Sequence, residues 1–104
     1  MKRVKRRYLA LQLECGSMPS EHEFIDAVWA AITRLYGEVG ASLTSLYLIN
    51  FDVERHAAVI RVSLATLSLV RASLATITSI ADKETTVHVF CVSGTLKALY
   101  ARVQ

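Results

Sequence analysis

Lys2, Arg3, Lys5, Arg6 and Arg7 put five cations into six consecutive positions. Fixed positive charges at that spacing bind anions, and a nucleic-acid backbone is the anion that suits a row of them, because each Lys or Arg near a phosphate displaces condensed counterions. Residues 8–104 hold seven Lys or Arg against nine Asp or Glu, so the net +3 of the chain conceals an acidic body behind a cationic arm. Basic termini also serve as solubilising tails. A second anion-binding pattern lies in Val92-Ser93-Gly94-Thr95-Leu96-Lys97. Ser93 can cap a helix, Gly94 lets a backbone approach closely, and first-turn N–H groups with Lys97 beside them present positive potential to a phosphate. On spacing alone, the simpler reading of Ser93-Gly94-Thr95 is a helix cap whose hydroxyls are satisfied internally.

Covalent chemistry finds no comparable footing. No carboxylates pair at one strand end, and no Ser–His or Cys–His constellation or phosphate loop stands out, so catalytic residues are expected to be absent. His22 falls in a helix first turn, His56 at a hairpin edge and His88 in a strand, and each reads as a solvated or packed residue. Cys15 and Cys91 lie in different strand patterns with no His at metal-ligand spacing. They read as reduced thiols in a cytoplasmic protein, with no metal and no bound cofactor. Residues 8–13 are too few for the apolar core of a secretory signal, and no apolar run reaches the length of a membrane span.

The elements that must position these residues follow from periodicity. At 104 residues the chain has room for one domain and one core. We divide it into a basic arm, residues 1–7, and a single domain, residues 8–104. Residues 8–15 alternate as a strand with Leu9, Leu11 and Leu13 on the buried face. Ser20 and Glu23 form a capping box, followed by a helix burying Ile25, Val28, Trp29, Ile32, Leu35 and Tyr36 and stopping at Gly37. Two strands, residues 43–51 and 56–64, read as a hairpin. A second helix is expected over residues 66–81, a fourth strand over residues 85–92, and a short helix after Thr95 with Leu96, Leu99, Tyr100 and Val103 on one stripe. The order predicts an α+β, ferredoxin-like or RRM-like βαββαβ fold, a four-stranded antiparallel sheet backed by two helices. Tyr8, Gln12, Val59, Arg61, His88 and Phe90 would face away from those helices. The second strand is apolar on both sides, with Tyr47, Ile49 and Phe51 opposite Leu46 and Leu48, so the C-terminal helix or a partner must cover part of the open face.

Several runs also carry a resemblance: Arg7-Tyr8-Leu9, Leu35-Tyr36-Gly37, Tyr47-Leu48-Ile49-Asn50-Phe51-Asp52, Ile60-Arg61-Val62, Val70-Arg71 with Leu74-Ala75 and Ile77, and Val89-Phe90-Cys91-Val92-Ser93-Gly94-Thr95-Leu96-Lys97-Ala98-Leu99. In this order they cover nearly the whole chain, and together the sequence resembles protein component 2 of archaeal ribonuclease P, the archaeal relative of the eukaryotic Pop-five subunit. The resemblance implies a non-catalytic subunit of a ribonucleoprotein. In that family the ribonuclease P RNA removes the 5′ leader of precursor tRNA with the help of Mg2+ bound to the RNA. The implied partners are that RNA and protein component 3, in a two-plus-two heterotetramer with self-contact between copies of this subunit, and precursor tRNA indirectly.

On this reading Lys2, Arg3, Lys5, Arg6 and Arg7 lie along the RNA backbone, while Ser93, Gly94, Thr95 and Lys97 form a second anion-binding point. Arg61 on the open sheet face pairs with a phosphate or a protein, and Tyr8 stacks on a base where exposed. Arg61 and Arg71 are the weaker candidates, Arg71 also reading as a solvated helix residue, and an aromatic at a strand start such as Tyr8 is more often a core or partner contact. Two alternatives stand beside it: a protein-interaction module without direct RNA contact, and a ferredoxin-like sensor binding a small ligand in the loop of residues 15–19.

Overall fold

Leu9, Leu11 and Leu13 alternate with smaller or polar neighbours, and the strand they form, β1 (Arg6–Cys15), runs through the middle of the sheet in a computed structural model that describes residues 5–103. Lys2 and Arg3 lie outside the described residues. The strand begins at Arg6, two residues before the expected start, because Arg6 and Arg7 already pair with Ser63 and Val62. β1 is followed by α1 (Glu21–Ser42), β2 (Tyr47–Asp52), β3 (Ala57–Ser63), α2 (Leu67–Ala75), β4 (Ser79–Ile80), β5 (Lys83–Ser93) and α3 (Leu96–Val103). The strand order is β2-β3-β1-β5-β4, with every neighbouring pair antiparallel.

The fold is therefore α+β with a five-stranded sheet and three helices, and the expected four-stranded ferredoxin-like sheet is corrected by one strand. The extra strand occupies sequence that was expected to continue α2. Ser73 and Thr76 turn their hydroxyls back onto the carbonyls of Leu69 and Ser73, at 2.9 and 2.7 Å, and Thr76, Ile77 and Thr78 are β-branched. Such residues end a helix readily and favour extended chain. β4 then turns into β5 through Ala81 and Asp82, whose φ values of 52° and 65° are those of a type I′ hairpin.

One face of the sheet packs Leu9, Leu11, Leu13, Ala58, Ile60 and Val62 against Phe24, Val28 and Ile32 of α1 and Val70 and Leu74 of α2. On the opposite face Leu99 of α3 is fully buried against Ala10 and Val59, with Tyr8, Ile49, Cys91, Leu96, Tyr100 and Val103 around it. The chain's own C-terminal helix thus covers part of the second face, as its stripe suggested.

Two irregularities decide which side chains reach which face. β2 carries an extra residue at Ile49, since Leu48 faces Ile60 while Asn50 faces Val59. The resulting bulge sends Phe51 to the core, 5.5 Å from the Phe24 ring, instead of leaving it beside Tyr47 and Ile49. β5 does the same at Phe90, and Cys91 moves to the α3 side while Val92 joins the main core.

α1 opens on the expected capping box: Ser20 Oγ accepts from the Glu23 N–H at 3.1 Å, and Glu23 Oε1 accepts from the Ser20 N–H at 2.8 Å. Gly37 leaves helical geometry at φ 76°, but a further turn carries the element on to Ser42. The buried stripe is Phe24, Val28, Ala31, Ile32 and Ala41. Leu35 and Tyr36, expected inside, are 46% and 43% exposed because no residue between Ile32 and Ala41 is buried. Among the described residues no helix is long and apolar enough to cross a membrane.

Candidate nucleic-acid interface

Register brings together residues that the sequence separates widely. Tyr8 of β1 lies opposite Arg61 of β3 on one side and Ser93 of β5 on the other, and Arg61 in turn lies opposite Tyr47 of β2. The row Tyr47, Arg61, Tyr8, Ser93 therefore crosses four strands on the face that carries α3. Opposed side chains in antiparallel strands stand within contact distance. The Arg61 guanidinium carbon is 5.0 Å from the Tyr47 ring centre, a cation–π arrangement worth about 0.5–2 kcal/mol depending on desolvation. Tyr47 is 57% exposed, whereas Tyr8 is half-buried against α3. Arg61 Nε is buried and has no hydrogen-bond partner among the described residues. A buried donor without an acceptor carries an unfavourable desolvation term.

Where the row reaches β5, the chain turns into α3. Ser93 is buried and its Oγ accepts from the Thr95 N–H at 3.5 Å. The cap of α3 is Thr95 rather than Ser93: its Oγ1 accepts from the Ala98 N–H at 3.2 Å, and its carbonyl accepts from the Leu99 N–H at 3.1 Å. Gly94 is exposed, and Lys97 stands exposed in the first turn beside it. The Arg7 guanidinium lies over this turn, so a β-carbon added at Gly94 would sit 3.5 Å from it. Arg7 donates to the Arg6 carbonyl at 2.9 Å, which holds its guanidinium back along β1. Lys5 and Arg6 are exposed at the start of the strand, and the Lys5 carbonyl accepts from the Leu64 N–H at 2.8 Å.

Among the described residues, none of Lys5, Arg6, Arg7, Arg61 or Lys97 has a carboxylate partner; Arg55 pairs with Asp52, and His22 and His88 each lie 3.0 Å from a carboxylate oxygen, of Asp26 and Glu14. Most of the acids gather at the other end of the strands, where they outnumber Arg55 and Lys83. β1 runs from Arg6 to Glu14, β2 ends at Asp52, β5 starts beside Glu84, and the first turn of α1 holds Glu21 and Glu23. The molecule is consequently cationic at one end and anionic at the other, and the row lies at the cationic end.

Tyr8, Arg61, Ser93, Gly94, Thr95, Lys97, Lys5, Arg6 and Arg7 were all legible as candidates, and the structure collects them at one end of the sheet. Arg71 is exposed on α2, across the sheet from the row. Two contributors escaped the sequence reading. Tyr47 reads in the sequence only as an apolar strand residue, and its link to Arg61 needs the strand register. Arg102 of α3 donates to the Val92 carbonyl at 3.3 Å, joining the cations around Ser93, and nothing in its sequence context signals that contact.

Comparison with known proteins places the chain in a narrow setting. Residues 7–104 match the Rpp14/Pop5 family. The chain is 35% identical to ribonuclease P protein component 2 of Methanosarcina mazei, over 91% of this chain and 80% of that protein. Component 2 of Methanobrevibacter smithii is 32% identical, over 92% and 86%, and that of Pyrococcus furiosus 31%, over 93% and 81%. A chain in the cryo-EM structure of yeast ribonuclease MRP superposes with a TM-score of 0.73 at 18% identity, over 92% of this chain and 79% of that one, which makes the fold the same.

Proposed function

The chain belongs to the Rpp14/Pop5 family, and from that premise we propose that it is a non-catalytic protein subunit of the ribonuclease P ribonucleoprotein, supporting the catalytic RNA in removing the 5′ leader of precursor tRNA. The observation that carries the reading to particular residues is the row Tyr47, Arg61, Tyr8, Ser93 with unpaired cations at one end of it. Arg6, Arg7, Lys97 and Arg102 would hold phosphates, and the Arg61 guanidinium, held against Tyr47, would add its charge beside them. Tyr47, ring exposed and backed by a cation, would stack on an unpaired base. Lys2 and Arg3 extend the same charge by sequence alone. Positioning of this kind asks for no cofactor on the protein, and Mg2+ belongs to the RNA in this reading.

The protein partners are proposals of the same standing: component 3, and a second copy of this subunit within a two-plus-two heterotetramer in the cytoplasm. The exposed apolar residues Leu35, Tyr36, Val39 and Leu43, at 46%, 43%, 76% and 62% exposure, support a protein contact at the far end of α1. Cleavage of precursor tRNA by an archaeal ribonuclease P RNA and its other protein subunits, at low Mg2+, tests the assignment. Cleavage is expected to rise when this chain is added and to fall again with Arg61→Ala. Indifference to the chain would overturn the subunit reading, while a response to the chain that Arg61→Ala and Tyr47→Ala leave intact would overturn the site alone.

A further inference from the structure

His56 and Cys15 are 41 residues apart in sequence, yet the hairpin between β2 and β3 brings His56 Nδ1 within 3.5 Å of Cys15 Sγ. Met18, three residues after Cys15, places its Sδ 4.0 Å from the same sulfur. All three side chains are half-buried. The backbone that carries them is fixed on both sides: the His56 carbonyl accepts from the Leu13 N–H at 2.7 Å, and the residue after Met18 is the buried Pro19, which restricts Met18 to extended conformations. His56 itself is held at φ 53°, a left-handed conformation that is uncommon for residues other than glycine and merits attention when the side chain is functional.

We propose that Cys15, Met18 and His56 form a binding site for a soft monovalent metal ion of the Cu(I) or Ag(I) class. Thiolate and thioether donors select such ions, and imidazole completes the set. The spacing agrees with trigonal coordination. Metal–sulfur bonds of about 2.3 Å and a metal–nitrogen bond of about 2.0 Å, set 120° apart, separate the ligand atoms by about 3.7 Å for sulfur to nitrogen and about 4.0 Å for sulfur to sulfur. The two edges found here are 3.5 and 4.0 Å. Both edges meet at the Cys15 sulfur, and an ion held there by all three donors would displace one proton, from the Cys15 thiol. A structural zinc ion asks for four closed ligands drawn from Cys, His and carboxylates rather than thioether. Among the described residues no group of three or more His, Cys, Asp or Glu side chains is clustered for one, so the thioether decides the class.

Cys91 is the internal control. It lies opposite Ala10 at the α3 side of β1, whereas Cys15 lies opposite Thr85 at the strand's other end. Five residues of strand separate them by about 17 Å, so the two thiols neither share an ion nor oxidise together. The test uses the full chain without RNA: Ag(I) binding followed by native mass spectrometry, and Cu(I) affinity by anaerobic competition with bicinchoninate. One equivalent of ion is expected for the parent protein and for Cys91→Ser, with the site lost in Cys15→Ser. Met18→Leu, which conserves volume, and His56→Asn, which tolerates the left-handed backbone, should keep their circular dichroism and weaken Cu(I) binding by more than about tenfold, the scale on which even outer-shell changes weaken a metal site. Parent-like affinity in both Met18→Leu and His56→Asn would mean that a bare thiol captures the ion, and would overturn the proposal. So would retention of the site in Cys15→Ser.

Discussion

Arg61 illustrates how much of this site is a matter of single atoms. Its side chain sits against the exposed Tyr47 ring, and its Nε has no acceptor among the described residues. Replacing it with Ala should lower affinity for ribonuclease P RNA and reduce the slope of log affinity against log salt by about 0.7–0.9, the contribution of one phosphate contact, measured by filter binding across a salt series. Tyr47→Ala should cost about 1–3 kcal/mol of binding while leaving that slope alone, since stacking releases no counterions. A lowered slope for Tyr47→Ala would mean that the ring acts only by holding Arg61. The individual candidates here were legible because charge and hydroxyl types advertise themselves. The pairing of Tyr47 with Arg61, and of His56 with Cys15, was not, because each depends on a register or a turn that no local pattern specifies.

The elements tell a similar story with sharper exceptions. Alternation located β1 and β3 and their faces correctly, and the capping box located the start of α1. Phe51 leaves the side of Tyr47 and Ile49 because a single bulged residue inverts every face beyond it, and period-two patterns do not mark where the extra residue enters. α2 was expected too long because its apolar spacing continues to Ile77, which is buried after the helix has ended. The capping box predicts a pH signature. Glu23 is fully exposed, and the Ser20 N–H hydrogen bond is the largest cause holding its carboxyl below its ordinary value of 4.5. A depressed value means that the charged form stabilises the fold, fully above pH 4.5 and decreasingly as pH falls through the lower folded value. The stability difference between the parent and Glu23→Gln should therefore narrow on acidification below pH 4.5, read from urea midpoints. The β4–β5 turn offers an independent check. Ala81 occupies a left-handed position that Asn adopts more easily, so Ala81→Asn should stabilise the chain by about 0.5–1 kcal/mol in the same assay.

At the scale of the whole molecule, two cores share one sheet: a large one under α1 and α2, and a small one under α3 built around Leu99. Leu99→Ala should cost about 2–5 kcal/mol by urea unfolding, because the buried side chain is the centre of the smaller core and little around it can collapse into the gap. It should also weaken RNA binding, since Tyr8 packs in that core and Lys97 and Arg102 ride on α3. The separation of charge along the strands has a consequence for time as well as for affinity. A body with cations at one end and acids at the other carries a dipole moment, and in the field of a polyanion it experiences a torque before it makes any contact. Encounters then begin with the cationic end leading, so that salt should act first on the association rate, through lost orientation, and only afterwards on the lifetime of the complex.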